Sequence, residues 1–155
     1  MTEVSKNIWP GRTGHVLAWL GTLPFIIATI VCFTPFRLFL WPFLVVLVST
    51  YAAMIVTFMA GSHWGLSAQI PEKNAKKVMI YSNLITLLAW LGILFPSWIV
   101  SWVIVLSCYW LAYAIDKTIH KHGGSDDNYL KMRLHVTSFV TVSLCLMIFL
   151  GRFEF

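Results

Sequence analysis

Charge is scarce in this chain: Lys, Arg, Asp and Glu make up 11% of its 155 residues, against 59% apolar. With a mean hydropathy of +0.79, that balance excludes a soluble domain, whose composition runs to about a quarter charged, and points to a polytopic membrane protein. The apolar runs are continuous and lack period-two alternation, which excludes an outer-membrane barrel and leaves an all-α fold. Cysteines are few, and Cys32, Cys108 and Cys145 show no CxxC spacing; each sits in an apolar run and reads as a buried small hydrophobe. No GxSxG, HExxH, phosphate loop or pair of intramembrane carboxylates occurs. Hydrolase, zinc protease, nucleotide-driven and simple proton-antiport mechanisms therefore lack their usual residues. Nor is there an internal repeat, which argues against a self-contained transporter, although an oligomer is able to enclose a path.

Five apolar runs are present, at 15–34, 43–67, 77–95, 97–116 and 129–151. At roughly 17 to 25 residues, each suffices to cross a hydrocarbon core of about 30 Å as a helix. The expectation is a single membrane domain over 1–155, a five-transmembrane-helix bundle. When the runs alternate direction, nine of the eleven basic residues fall on one side: Lys6, Arg12, Lys73, Lys76, Lys77, Lys117, Lys121, Lys131 and Arg133. Only Arg37 and Arg152 fall on the other. The N-terminus should therefore be cytoplasmic, or in the matrix of a mitochondrion, and the C-terminus outside. The net charge of +5 is accounted for by this topology and by lipid headgroups, without nucleic acid. The first run has a basic flank but no small-x-small cleavage site, and Val31 before Cys32 spoils a lipoprotein box, so it reads as a helix and not a signal peptide.

Local signals divide the runs further. Residues 1–14 read as a short, poorly ordered lead. Pro24 should kink helix 1 from within, Phe36 to Trp41 should lie at the outer interface with Trp41 at headgroup depth, and Pro42 suits the first turn of helix 2. Ala53, Thr57, Gly61 and Gly65 recur every four residues and predict a small-residue packing stripe. His63 projects from the opposite side, about 200° around the wheel, beside Ser49, Ala52, Ala60 and Ser67. Helix 3 puts Asn83, Thr86 and Trp90 on one face, helix 4 lines Trp102, Tyr109 and Tyr113 down to Asp116, and helix 5 carries Tyr129, Arg133, Thr137 and Thr141 at i+4 steps. Ser125 to Asp127 are placed to cap helix 5.

Because the helices alternate, His63, Trp64, Asn83, Tyr109, Tyr113, Asp116 and Arg133 form a candidate polar, ligand-binding cluster toward the cytoplasmic leaflet. An arginine near hydrocarbon depth is costly unless paired, and Asp116 is the acidic residue at matching depth, which predicts an Asp116–Arg133 ion pair. His63 supports three roles: an interhelical hydrogen bond, a substrate- or proton-handling group, or a haem or metal ligand with His135 as its best partner. His120-Lys121-His122 lacks a further ligand and reads as a solvated turn, so no metal site is expected.

The run Tyr51–Leu66, closing in Gly61-Ser62-His63-Trp64-Gly65-Leu66, resembles the integral membrane family catalogued as domain of unknown function 3429, which is transmembrane protein 69-like. The resemblance extends to Leu17–Phe25, to Asp116 and to Tyr129–Leu134. It implies a bacterial inner membrane or, in a eukaryote, the mitochondrial inner membrane, and brings no established activity.

The first functional reading is a non-catalytic accessory or assembly subunit of a larger membrane complex, of which a respiratory complex is one example, contacting lipids and other subunits or its own copies. The second is a protein binding a lipid, quinone or small solute in a cytoplasmic-side polar pocket. The third is a haem-binding redox protein.

Overall fold

The computed structural model describes residues 11–151, and every regular element among them is helical: α1 Gly11–Leu20, α2 Leu23–Cys32, α3 Arg37–Ser67, α4 Glu72–Ile93, α5 Trp98–Lys121 and α6 Asp127–Gly151. Lys6 and Arg152, used in the charge count, and most of the N-terminal lead lie outside the described residues. Among the described residues four stretches are long and apolar enough to cross a membrane: Thr13–Cys32, α3, α5 and α6. The chain is accordingly a multi-pass, all-helical membrane protein. The 22 residues of α4 would span about 33 Å, but Glu72, Lys73, Lys76, Lys77 and Asn83 make it less apolar than the other four.

Helix 1 does not kink within; it breaks. Pro24 has no N–H for the Leu20 carbonyl, and it sits in the opening turn of α2, where that loss is harmless. The next amide, Phe25 N–H, donates to Thr22 O at 3.1 Å. That leaves the Gly21 carbonyl open, and Tyr51 of α3 donates its hydroxyl to it at 2.9 Å. The helix also starts earlier than expected, at Gly11.

The expected interfacial segment before helix 2 is helical as well. α3 begins at Arg37 and carries Pro42 inside it, and Trp41 is buried within the bundle. Trp41, Trp98 and Trp102 stack edge-on with centroids 5.1 to 6.3 Å apart, and Trp102 Nε1–H donates to Ser49 Oγ at 2.7 Å. A cluster of rings at this end is large enough to hold the starts of α3 and α5 together.

The packing spine of α3 is the reverse of the one expected. Of the stripe Ala53, Thr57, Gly61 and Gly65, only Ala53 is buried, and a Cβ built on Gly61 or Gly65 would meet nothing within 4 Å. The face that packs is the other one: Ser49, Ala52, Val56, Ala60, His63 and Ser67. Both faces are small enough for close approach. The one chosen is the one whose imidazole finds partners inside the bundle.

α3, α4 and α5 pack mutually, α6 leans on α5 and α2, and α2 leans on α3 and α6. The short 94–97 turn makes α4 and α5 antiparallel neighbours, as expected. Their close approach is at Gly92, where a Cβ would lie 2.8 Å from Ile104 Cγ2. Outward faces are apolar on every helix, including Ile80, Leu84, Leu87 and Leu91 of α4, as a lipid environment requires. Cys32 and Cys108 are buried as expected; Cys145 is instead exposed on such a face.

Candidate functional site

Asp116 lies less than two turns from the end of α5, and the chain beyond it is fixed by backbone chemistry. Gly124 N–H donates to Ile119 O at 3.0 Å and Gly123 N–H to His120 O at 2.9 Å, the paired bonds of a Schellman ending. Gly123 takes φ +79, a conformation that glycine adopts without strain. Three residues later Asp126 Oδ1 accepts the Tyr129 amide at 2.8 Å and caps α6, as the sequence indicated. These two devices set the α5–α6 hairpin so that Tyr129 and Arg133 face Asp116.

The result is one network across four helices. Arg133 Nε–H donates to Asp116 Oδ2 at 2.7 Å. The Tyr129 hydroxyl donates to Oδ1 at 3.0 Å. His63 Nε2 meets the same oxygen at 3.1 Å, and its Nδ1 meets Ser82 Oγ at 2.9 Å. A carboxylate only accepts, so Nε2 carries the proton; in the neutral ring Nδ1 then accepts from the serine hydroxyl. Asp116 and His63 are both 0% exposed, and the carboxylate is satisfied by three donors. Buried charges in such surroundings persist only when paired and hydrogen-bonded.

Arg133 is not fully used. Its Nε serves Asp116, and its guanidinium lies over the Tyr129 ring at 5.7 Å, but Nη2 is buried without a hydrogen-bond partner. One turn on, Thr137 Oγ1 is buried without a partner as well.

Arg133 also lines a cavity of about 490 Å³ between α1–α2, α3 and α6. The cavity exists because α3 and α6 both rest on α5 and α2 while making little direct contact with each other. Its walls are Leu17, Phe25, Ile55, Phe58, Met132 and Val136, among others. Thr22, Ser62, Tyr129 and Arg133 are its hydrogen-bonding side chains. The Thr22 and Ser62 hydroxyls donate to carbonyls of their own chain, Trp19 O and Met59 O, both at 2.7 Å, and Tyr129 donates to Asp116. Arg133 is the one whose donors are not all engaged, since only Nε is bonded; Nη2 itself is sealed within the wall.

The structure brings together three of the anticipated residues, His63, Asp116 and Arg133. Tyr109 is buried higher in α5, where its hydroxyl donates to Ala52 O at 3.3 Å. Tyr113 packs edge-on against Trp110 at 6.1 Å under the Lys117 ammonium. Trp64 is 49% exposed and Asn83 is exposed; neither faces the network. Ser82 occupies the place foreseen for Asn83, because α4 buries the stripe Val78, Ser82, Ile85, Ala89 and Gly92. That stripe, of small and apolar residues at steps of three and four, was the available signal. His135 is exposed, two residues and therefore about 200° from Arg133 on α6. The structure does not pair it with His63, whose two nitrogens are engaged already. His120 and His122 bond locally, to Ser125 O at 3.0 Å and Thr118 O at 2.8 Å, and no group of three His, Cys, Asp or Glu able to hold a metal occurs among the described residues.

A family model described as Protein of unknown function (DUF3429) matches residues 11–149, so the chain belongs to that family. No curated protein and no solved structure matches it.

Proposed function

We propose that this member of the DUF3429 family is an inner-membrane protein, bacterial or mitochondrial, that binds a lipid-like ligand in the cavity between α1–α2, α3 and α6. The observation that carries the reading is a ligand-sized apolar cavity bordered by the Arg133 guanidinium, of which only Nε is hydrogen-bonded. Such a combination receives a greasy body and fixes one polar end. Five spans with a cytoplasmic or matrix N-terminus belong to the same proposal. The apolar outward face of α4 supports its lying in lipid, and the lysines gathered near the 68–71 and 122–126 turns support the orientation. The network then sits toward the cytoplasmic leaflet.

Purification in a mild detergent, followed by native mass spectrometry and extraction, tests this. A lipid or quinone retained near one per chain is the expected result. Stoichiometric partner subunits with an empty cavity would overturn it in favour of an accessory or assembly subunit. A visible absorption band would bring back the haem reading.

A further inference from the structure

The polar end of that ligand can be narrowed by charge. Among the side chains lining the cavity Arg133 is the one that is charged, and its charge is already offset by Asp116, 2.7 Å away. The carboxylate in turn has three donors and no cation to spare. What the Arg133 guanidinium, bonded through Nε alone, still offers the cavity is an N–H, not a net charge. An anionic head would satisfy that N–H but would leave one unpaired negative charge beside Asp116 in surroundings of low dielectric, which is costly. A carbonyl oxygen satisfies the same N–H and adds no charge.

Resting on the cavity reading above, we infer that the ligand is an uncharged lipid whose head presents a carbonyl oxygen to the Arg133 guanidinium, a chemistry shared by quinones and by the ester groups of neutral acylglycerols. Phe25, Phe58, Met132 and Val136 hold its apolar body.

The test uses the full-length protein, stripped of lipid in detergent, and calorimetric titration with probes of equal tail length: an alkane, a methyl ketone, a carboxylate held ionised at about pH 9, an alkyl benzoquinone and a monoacylglycerol. The ketone should bind at least about tenfold more tightly than the carboxylate and the alkane. Whichever of quinone and acylglycerol binds more tightly identifies the source. Replacing both members of the ion pair, Asp116→Asn with Arg133→Met, leaves no buried charge unpaired and no donor at that position, and should reduce the ketone to the level of the alkane. Val136→Trp, which fills the cavity, should abolish binding of all five. If the carboxylate binds as well as the ketone and Val136→Trp still removes both, the site stands and the uncharged head is wrong. If no probe binds, or Val136→Trp changes nothing, the cavity reading itself fails. Should the double variant not fold, the head-group series on the unaltered protein decides alone.

Discussion

Asp116 and Arg133, seventeen residues apart, meet through a single Nε–H to Oδ2 bond of 2.7 Å, and the guanidinium's Nη2 remains unpartnered. The pair is thus strong where it closes the bundle, and it uses one of the three guanidinium nitrogens. Stability and ligand capture depend on different atoms of one side chain.

Asp116→Asn should destabilise the fold by about 3–5 kcal/mol, because it strands the Arg133 charge in the interior. Adding Arg133→Gln should recover part of that loss. Thermal unfolding in detergent measures both, and a double variant as unstable as the sum of the singles would show the two side chains to be uncoupled.

Gly92→Leu should cost at least about 1–3 kcal/mol, since its side chain must displace Ile104 across the α4–α5 contact. Gly61→Leu and Gly65→Leu point into open space and should stay within about 0.5 kcal/mol of the parent. Strong destabilisation by either of the latter two would mean that the outward stripe of α3 meets another chain.

Thr137→Val removes a buried hydroxyl whose Oγ1 has no partner and preserves the shape. Unfolding should be unchanged or shifted up by as much as about 1 kcal/mol; a clear loss would reveal a bond to Oγ1.

Tyr51→Phe deletes the hydroxyl that satisfies the Gly21 carbonyl. A loss of about 0.5–1.5 kcal/mol is expected, with faster amide exchange confined to the α1–α2 break. Unaltered exchange there would show that the break does not need this tether.

Much of the architecture was readable because hydrophobic length and turn residues act locally. The five apolar runs, the α4–α5 turn and the Asp126 cap depend on neighbours in sequence. The Asp116–Arg133 pair was readable for a different reason: a charge near hydrocarbon needs a partner, and one was at matching depth. What was not legible is which of two small-residue faces α3 buries, because Ser49, Ala52 and Ala60 are as small as Thr57, Gly61 and Gly65. The choice is made by contacts from α4 and α5. The same holds for Ser82 against Asn83, where a rotation of one residue swaps the polar group that reaches His63. The cavity was out of reach altogether, since it arises from the spacing of α3 and α6, which no local pattern encodes.

The Schellman ending at Gly123–Gly124 and the Asp126 cap lie between Asp116 and the Tyr129–Arg133 turn, within five residues of local hydrogen bonding. Three of the network's five side chains therefore belong to one hairpin, and a short connection makes their meeting entropically cheap. That hairpin is its own counter-ion: its buried carboxylate and guanidinium cancel within one supersecondary unit, which meets the α3 imidazole and the α4 hydroxyl already made ahead of it in the chain.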